Sequence, residues 1–257
     1  MGHESYSPSR APPQAPTRML MIYFPVEAEP TMDTTEYTIY FAGELFDHKH
    51  LIGNSLLAGR IELLSGRRYR CVLPQDLEQT DSRAVDIRNQ DLLGVATCDC
   101  ALFNFDGPDL DSGTVVEFVY AKLLDIPAVI LRTDFRGGGD QDTDGDAWNL
   151  MASFYPRTRN VSLNAMAWYQ QARRETDDPM AAATLYADRI ARQVIDALDA
   201  ARAEPSLLNA TPDDVEHLYR WALTFPGGGL ADRAADEESL RAAVHRIVSN
   251  KTSRNLL

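Results

Sequence analysis

The side chains best suited to chemistry lie in one acidic, glycine-containing segment, Asp106-Gly-Pro-Asp-Leu-Asp111-Ser-Gly-Thr114-Val-Val-Glu117. It lies between two apolar runs, 101–105 and 115–124, which predict a strand followed by a buried helix. The loop between such elements lies at the carboxyl edge of the sheet, where open α/β folds bind ligands. Carboxylates gathered there can serve as a nucleophile and a general acid. We therefore take Glu117, with Asp91 on the preceding predicted helix, as the leading candidates.

Glu117 also has a purely structural interpretation. Thr114-Val-Val-Glu117 matches the S/T-x-x-E capping box, in which both side chains satisfy backbone N–H groups of the first helical turn. Judged on these four residues alone, a cap is the better explanation. The other carboxylates of the same loop favour catalysis.

Five short motifs, in order along residues 37 to 165, resemble the nucleoside 2-deoxyribosyltransferase family. They are Thr38-Ile-Tyr-Phe-Ala-Gly43, Asp86-Ile-Arg-Asn-Gln-Asp91, Cys98-Asp99, Asp111-Ser-Gly-Thr-Val-Val-Glu117 with Tyr120-Ala121, and Trp148-Asn-Leu-Met151. The resemblance implies that Glu117 attacks the anomeric carbon of a 2-deoxyribonucleoside, giving a covalent deoxyribosyl-enzyme from which a second base accepts the sugar. This parallels the retaining glycosidases, in which a carboxylate stabilises an oxocarbenium-like transition state and a proton reaches the leaving group.

The resemblance also assigns roles to the residues around Glu117. Asp91 and Asp111 match aspartates near the nucleobase, and either one is a candidate proton donor. Tyr40 matches a tyrosine that hydrogen-bonds the nucleophile, although a half-buried strand aromatic is an equally good explanation. Asn149 matches an asparagine that reaches the sugar hydroxyls in a neighbouring subunit's site, and a turn residue is its alternative.

Two further residues complete the expected substrate-binding set. Gly43 closes the first predicted strand, and Asp76 follows Pro74 at the end of the second. Asp76 is the weaker candidate, because an aspartate at that place is typical of a turn or helix cap.

Alternating strand and helix patterns predict a flavodoxin/Rossmann-like, doubly wound α/β fold with a mostly parallel five-stranded sheet. The predicted strands are 37–42, 69–73, 98–105, 128–132 and 160–163. The predicted helices are 49–65, 82–96, one that follows the acidic loop and ends near 125, 181–203, 212–224 and 237–250. We expect residues 1–36 to form a disordered arm, 37–165 the catalytic core and 166–257 a helical extension. The extension is a departure from the family, in which chains end soon after the core.

Composition limits the possible partners. The formal net charge is −13, with 38 acidic against 25 basic residues, which disfavours a nucleic-acid polymer as ligand. No run approaches the ~18 apolar residues of a membrane span. The three cysteines, in apolar runs, predict reduced thiols and a cytoplasmic protein. The expected ligands are a deoxynucleoside and a nucleobase, and the resemblance implies a homo-oligomer.

No metal or organic cofactor is expected. The run 140–145 resembles the front half of a calcium loop, but Met151 stands where the bidentate glutamate is needed. His48 and His50 have no evident partner cluster for a metal. Two other functions stay open: an N-glycoside hydrolase that uses the same glutamate, and a sensor that binds nucleosides or nucleotides without turnover.

Overall fold

The computed structural model describes residues 36–77, 83–141, 145–208, 210–234 and 236–257. Within them a single five-stranded sheet has the order β2-β1-β3-β4-β5, and every neighbouring pair is parallel. The strands are β1 (Tyr37–Ala42), β2 (Tyr69–Val72), β3 (Cys100–Asn104), β4 (Ala128–Arg132) and β5 (Thr158–Ser162). The predicted α/β class and parallel sheet are confirmed. The arm expected at the N-terminus lies outside the described residues, apart from Glu36.

Seven α-helices accompany the strands in the described part of the chain. They are α1 (His48–Leu64), α2 (Ala84–Thr97), α3 (Ser112–Leu123), α4 (Ala165–Glu175), α5 (Pro179–Arg202), α6 (Pro212–Thr224) and α7 (Glu237–Ser253). Short 3₁₀ turns occupy Pro74–Asp76, Leu150–Ala152 and Ala231–Arg233. Helix α4 was not among the predicted helices. None of the helices described here is long and apolar enough to cross a membrane.

The strand order reverses between β1 and β3. From β1 the chain moves outward to β2, returns to β3 on the other side of β1, and continues to β4 and β5. This is the topological switch point at which open α/β sheets bind ligands. The residues after β1 and after β3 therefore face one another across the expected binding crevice.

Strand alternation divides the core between the two faces of the sheet. Ile39 and Phe41 of β1 belong to a cluster that α1 and α5 cover. Tyr40 and Ala42 of the same strand belong to the opposite cluster, which α2, α3, α6 and α7 cover. Tyr40 is therefore directed toward the helices that carry Asp91 and Glu117.

The helices after residue 165 pack on both faces of the sheet. Buried polar side chains fasten this region to the strands. Arg157 donates to Asp125 Oδ2 at 2.7 Å and to the carbonyl of Leu256 at 2.9 Å. Lys251, which is fully buried, donates to the carbonyl of Cys98, and Arg254 pairs with Asp99 at 2.7 Å. The C-terminal helices are thus continuous with the core that supports the candidate site.

Candidate active site

Glu117 is held by a short hydrogen bond from β1. The Tyr40 hydroxyl donates to Glu117 Oε1 at 2.6 Å, a distance typical of a charge-assisted O–H···O⁻ bond. Tyr40 is fully buried, and Glu117 is partly buried in the second turn of α3. The bond fixes the rotamer of Glu117 and leaves its second oxygen, Oε2, without this contact.

Burial makes the Glu117 carboxyl a weaker acid than an exposed glutamate. Desolvation is the main cause that raises its pKa to about 7, and the negative charges of Asp91 and Asp111 act in the same direction. The bond from Tyr40 opposes them by favouring the ionised carboxylate. Burial and the neighbouring Glu117 and Asp91 charges raise the pKa of Tyr40 well above its usual range, so the phenol remains a donor.

Asp91 lies on the neighbouring helix α2 and interacts electrostatically with Glu117 and Tyr40. Desolvation raises the pKa of its carboxyl to about 6. Two carboxyl groups with perturbed pKa values in one place are typical of acid–base chemistry, in which one group is protonated while the other is ionised.

Asp111 caps helix α3. Its Oδ2 accepts from the Thr114 N–H and from the Thr114 hydroxyl, both at 2.8 Å. The capping box proposed for Thr114 and Glu117 is therefore wrong: Asp111 is the N-cap, Thr114 occupies the third helical position, and Glu117 is free of the cap. Because Asp111 is committed through Oδ2, Asp91 becomes the better candidate for proton donor.

The remaining candidates lie at the same edge of the sheet. Gly43 follows β1 and packs so closely on Asn104 at the end of β3 that an added Cβ would lie 3.0 Å from the Asn104 Cβ. Asp76 is exposed at the end of the 3₁₀ turn that follows β2. Asn149 is also exposed, and its side chain caps the turn Leu150–Ala152 by accepting from the Met151 N–H at 2.9 Å. Their roles toward a substrate stay predictions.

Asp106 belongs to the scaffold and not to the acid–base pair. Its carboxylate accepts from the Thr133 N–H, from the Thr133 hydroxyl at 2.7 Å and from the Asp134 N–H at 2.8 Å. These bonds tie the loop after β3 to the end of β4. The density of aspartates between residues 106 and 111 thus has a structural component that their spacing does not reveal.

Two residues near the site were missed from the sequence. A Cβ on Gly94 of α2 would lie 2.9 Å from Tyr40 Cε2, so a glycine at this place lets the ring pack against the helix. Glu44, directly after Gly43, approaches the loop after β3: a Cβ on Gly107 would lie 3.4 Å from Glu44 Oε1. His50 Nε2 lies 3.3 Å from the other oxygen of Glu44. The position of Glu44 next to Gly43 is the only signal in the sequence that could have indicated it.

No metal centre is evident in the described part of the chain. No group of three or more His, Cys, Asp and Glu side chains is arranged there to hold an ion. The calcium-like run extends to residues 142–144, which lie outside the described residues, while Asp140 Oδ1 accepts from the Leu150 N–H at 2.9 Å.

Comparison with known proteins gives a family match over the segment that contains this site. Residues 39–151 match the sequence model of the nucleoside 2-deoxyribosyltransferase family. The resemblance drawn from the five motifs is therefore confirmed over this segment, which contains Tyr40, Asp91, Asp111 and Glu117. The matched family consists of transferases that act on nucleosides.

Two solved structures are similar to part of the chain. One is a conserved protein from Enterococcus faecalis V583, with 28% identity and a TM-score of 0.42 over 49% of this chain and 91% of that one. The other is a 2-desoxiribosyltransferase from Leishmania mexicana, with 24% identity and a TM-score of 0.38 over 46% of this chain and 86% of that one. Comparison with curated proteins gave no match.

Proposed function

We propose that the protein transfers 2-deoxyribose between nucleobases through a covalent deoxyribosyl intermediate on Glu117. The observation that carries this proposal is the 2.6 Å bond from Tyr40 to Glu117 Oε1. A carboxylate fixed in this way beside the switch point of the sheet, with a second carboxyl nearby, has the groups that a retaining N-glycosyl transfer needs.

The first half-reaction uses both carboxyl groups. Glu117 Oε2 attacks the anomeric carbon as the N-glycosidic bond breaks, and Asp91 donates its proton to the departing base. The products are the free base and an ester between Glu117 and the sugar. In the second half-reaction a nitrogen of another base attacks the same carbon, Glu117 leaves, and Asp91 takes up the proton of the incoming base.

The pKa values define when this pair is competent. Glu117 must be ionised and Asp91 protonated, yet the pKa of Glu117, about 7, is above that of Asp91, about 6. Only a minor fraction of the singly protonated pair is therefore active, and the pH limits belong to the pair as a whole. We expect kcat/KM to follow a bell with limbs near these two values.

Charge favours nucleosides over nucleotides as substrates. Asp91, Asp111 and Glu117 surround the reacting position, and Glu44 lies on the neighbouring loop. A 5′-phosphate close to these carboxylates would be repelled. We further propose a role in nucleoside salvage in the cytoplasm, and the three cysteines, which are all free thiols, support that location.

Exposed apolar side chains support the proposal of a homo-oligomer. Val116 and Val119 are 61% and 44% exposed on the outer side of α3. Met151 and Phe154, beside the candidate Asn149, are 73% and 85% exposed. Apolar surface of this kind marks interaction sites. Light scattering of the purified chain measures its mass, and a monomer at every concentration would contradict an oligomer.

The function is tested by base exchange. The protein is incubated with thymidine or deoxyadenosine, with and without a second free base, and products are separated by chromatography. A new deoxynucleoside that forms only with the acceptor base supports transfer. Free base released without an acceptor, and no new nucleoside with one, would show hydrolysis. No turnover of any nucleoside would favour a sensor.

A further inference from the structure

The C-terminal part of the chain forms hydrogen bonds with helix α2, which carries Asp91. The Arg88 guanidinium donates to the carbonyls of Pro226 and Gly227 at 3.1 and 2.8 Å. Asn89, which is 1% exposed, donates through Nδ2 to the carbonyl of Gly228 at 2.7 Å. Its Oδ1 accepts from Arg88 at 2.6 Å, so the two side chains act as one unit. We call residues 226–229, which follow α6, the glycine loop.

The glycine loop lies directly on α2. Gly228 has φ +63°, and a Cβ there would lie 2.5 Å from Arg88 Nη2 and 2.8 Å from Val85 Cγ2. Gly227 has nearly the same conformation, with φ +61°, but an added Cβ would meet nothing within 4 Å. Both positions use the left-handed region that favours glycine. Only Gly228 needs glycine for contact with α2 as well.

Helix α2 contributes to the candidate site at two positions. Asp91 follows Arg88 by less than one helical turn. Gly94, nearly one turn further on, packs on the ring of Tyr40. A shift of α2 would therefore move Asp91 relative to Glu117 and also loosen the ring that holds Glu117.

We infer that Gly228, Arg88 and Asn89 are positioning residues, through which the C-terminal helices hold α2 at the distance from β1 and α3 that the reaction needs. This inference rests on the proposed function for its catalytic consequence. It gives the C-terminal region a role in activity, although no residue of the glycine loop touches the reacting groups.

The test compares Gly228→Ala with the matched control Gly227→Ala. Both variants place alanine at a left-handed position, so both lose stability for the same backbone reason. In Gly228→Ala we expect kcat and kcat/KM for base exchange to fall together, about 10- to 100-fold, with KM unchanged. The lower limb of its pH profile should move to lower pH, because a displaced Asp91 becomes more exposed to water. Gly227→Ala should keep the wild-type kcat and profile.

A second variant and a second readout keep the inference testable if Gly228→Ala does not fold. Arg88→Ala removes two bonds to the glycine loop from a side chain on the surface, and it should reproduce the kcat loss. Nuclear magnetic resonance titration of the Asp91 carboxyl measures its pKa without any turnover. The pKa should fall in Gly228→Ala and Arg88→Ala, and not in Gly227→Ala.

The outcomes separate the two proposals. Absence of base exchange in the wild-type protein would contradict the proposed function, while the carboxyl titration would still decide whether the glycine loop positions Asp91. Wild-type kcat and wild-type Asp91 titration in folded Gly228→Ala and Arg88→Ala would overturn the inference. An equal loss in Gly227→Ala would do so as well, because the effect would then come from backbone strain alone.

Discussion

Replacing Tyr40 with phenylalanine removes the hydroxyl that donates to Glu117 Oε1. The variant keeps the buried ring and its contact with Gly94 but loses the 2.6 Å bond to Glu117 Oε1. That bond favours the ionised carboxylate, so its loss raises the pKa of Glu117 above its present value of about 7.

The size of the effect follows from the bond. A hydrogen bond to a charged group contributes ~1.5–3 kcal/mol, and 1.36 kcal/mol corresponds to one pKa unit, so the pKa of Glu117 should rise by ~1–2 units. The form proposed to be active has Glu117 ionised and Asp91 protonated, and its population should fall ~10- to 100-fold. The upper limb of the kcat/KM profile should move to higher pH, by the same ~1–2 units.

The assay is kcat/KM for base exchange between pH 5 and 10. Tyr69→Phe is the matched control, since the Tyr69 hydroxyl also donates to a carboxylate, Asp199 Oδ1, at 2.6 Å, but on the other face of the sheet. We expect a lower and broader bell for Tyr40→Phe and a wild-type profile for Tyr69→Phe. A Tyr40→Phe profile with unchanged height and limbs would refute the assigned role of the bond.

Three further predictions concern the same site. Glu117→Gln should stabilise the fold by up to about 3 kcal/mol above pH 7, because the pKa of Glu117 rises from 4.5 to about 7 on folding and burial of the ionised form is unfavourable. This gain in the free energy of unfolding should vanish below pH 4.5, and denaturant unfolding at the two pH values measures it. Gly94→Ala should lower both the melting temperature and kcat, because its Cβ would lie 2.9 Å from Tyr40 Cε2; wild-type values for both would contradict this close packing. Asp111→Ser should keep the N-cap and hence the melting temperature, whereas Asp111→Ala should cost about 1 kcal/mol; equal losses of activity in both variants would assign the carboxylate itself to substrate binding.

The sheet was largely predictable because its strands are dense in β-branched and aromatic residues and alternate with periodic helices. The predicted fifth strand, 160–163, begins at Thr158 in the structure, because pairing with β4 extends it over the polar residues Thr158 and Arg159. Helix α4 was missed because little of it enters the core: Ala172 is buried, whereas Met166 and Tyr169 remain about half exposed.

The site was predictable to the level of residue type but not of contact. The spacing of Thr114 and Glu117 is that of a capping box, yet Asp111 takes the cap because it precedes the first helical residue. The bond between Tyr40 and Glu117 joins residues far apart in the chain, and only their resemblance to family motifs indicated it. Nothing in the sequence near Arg88 and Asn89 indicates their hydrogen bonds to the glycine loop, because these bonds depend on where α6 packs.

The most direct test of the account is to trap the intermediate on Glu117. The protein is mixed with a deoxynucleoside without an acceptor base, quenched in acid and digested, and the peptides are analysed by mass spectrometry. We predict one deoxyribosyl group on the peptide that contains Glu117, released free base in the supernatant, loss of the adduct on adding a second base, and no adduct with Glu117→Gln. Base exchange that proceeds without this adduct, or with an adduct on another residue, would contradict the central claim.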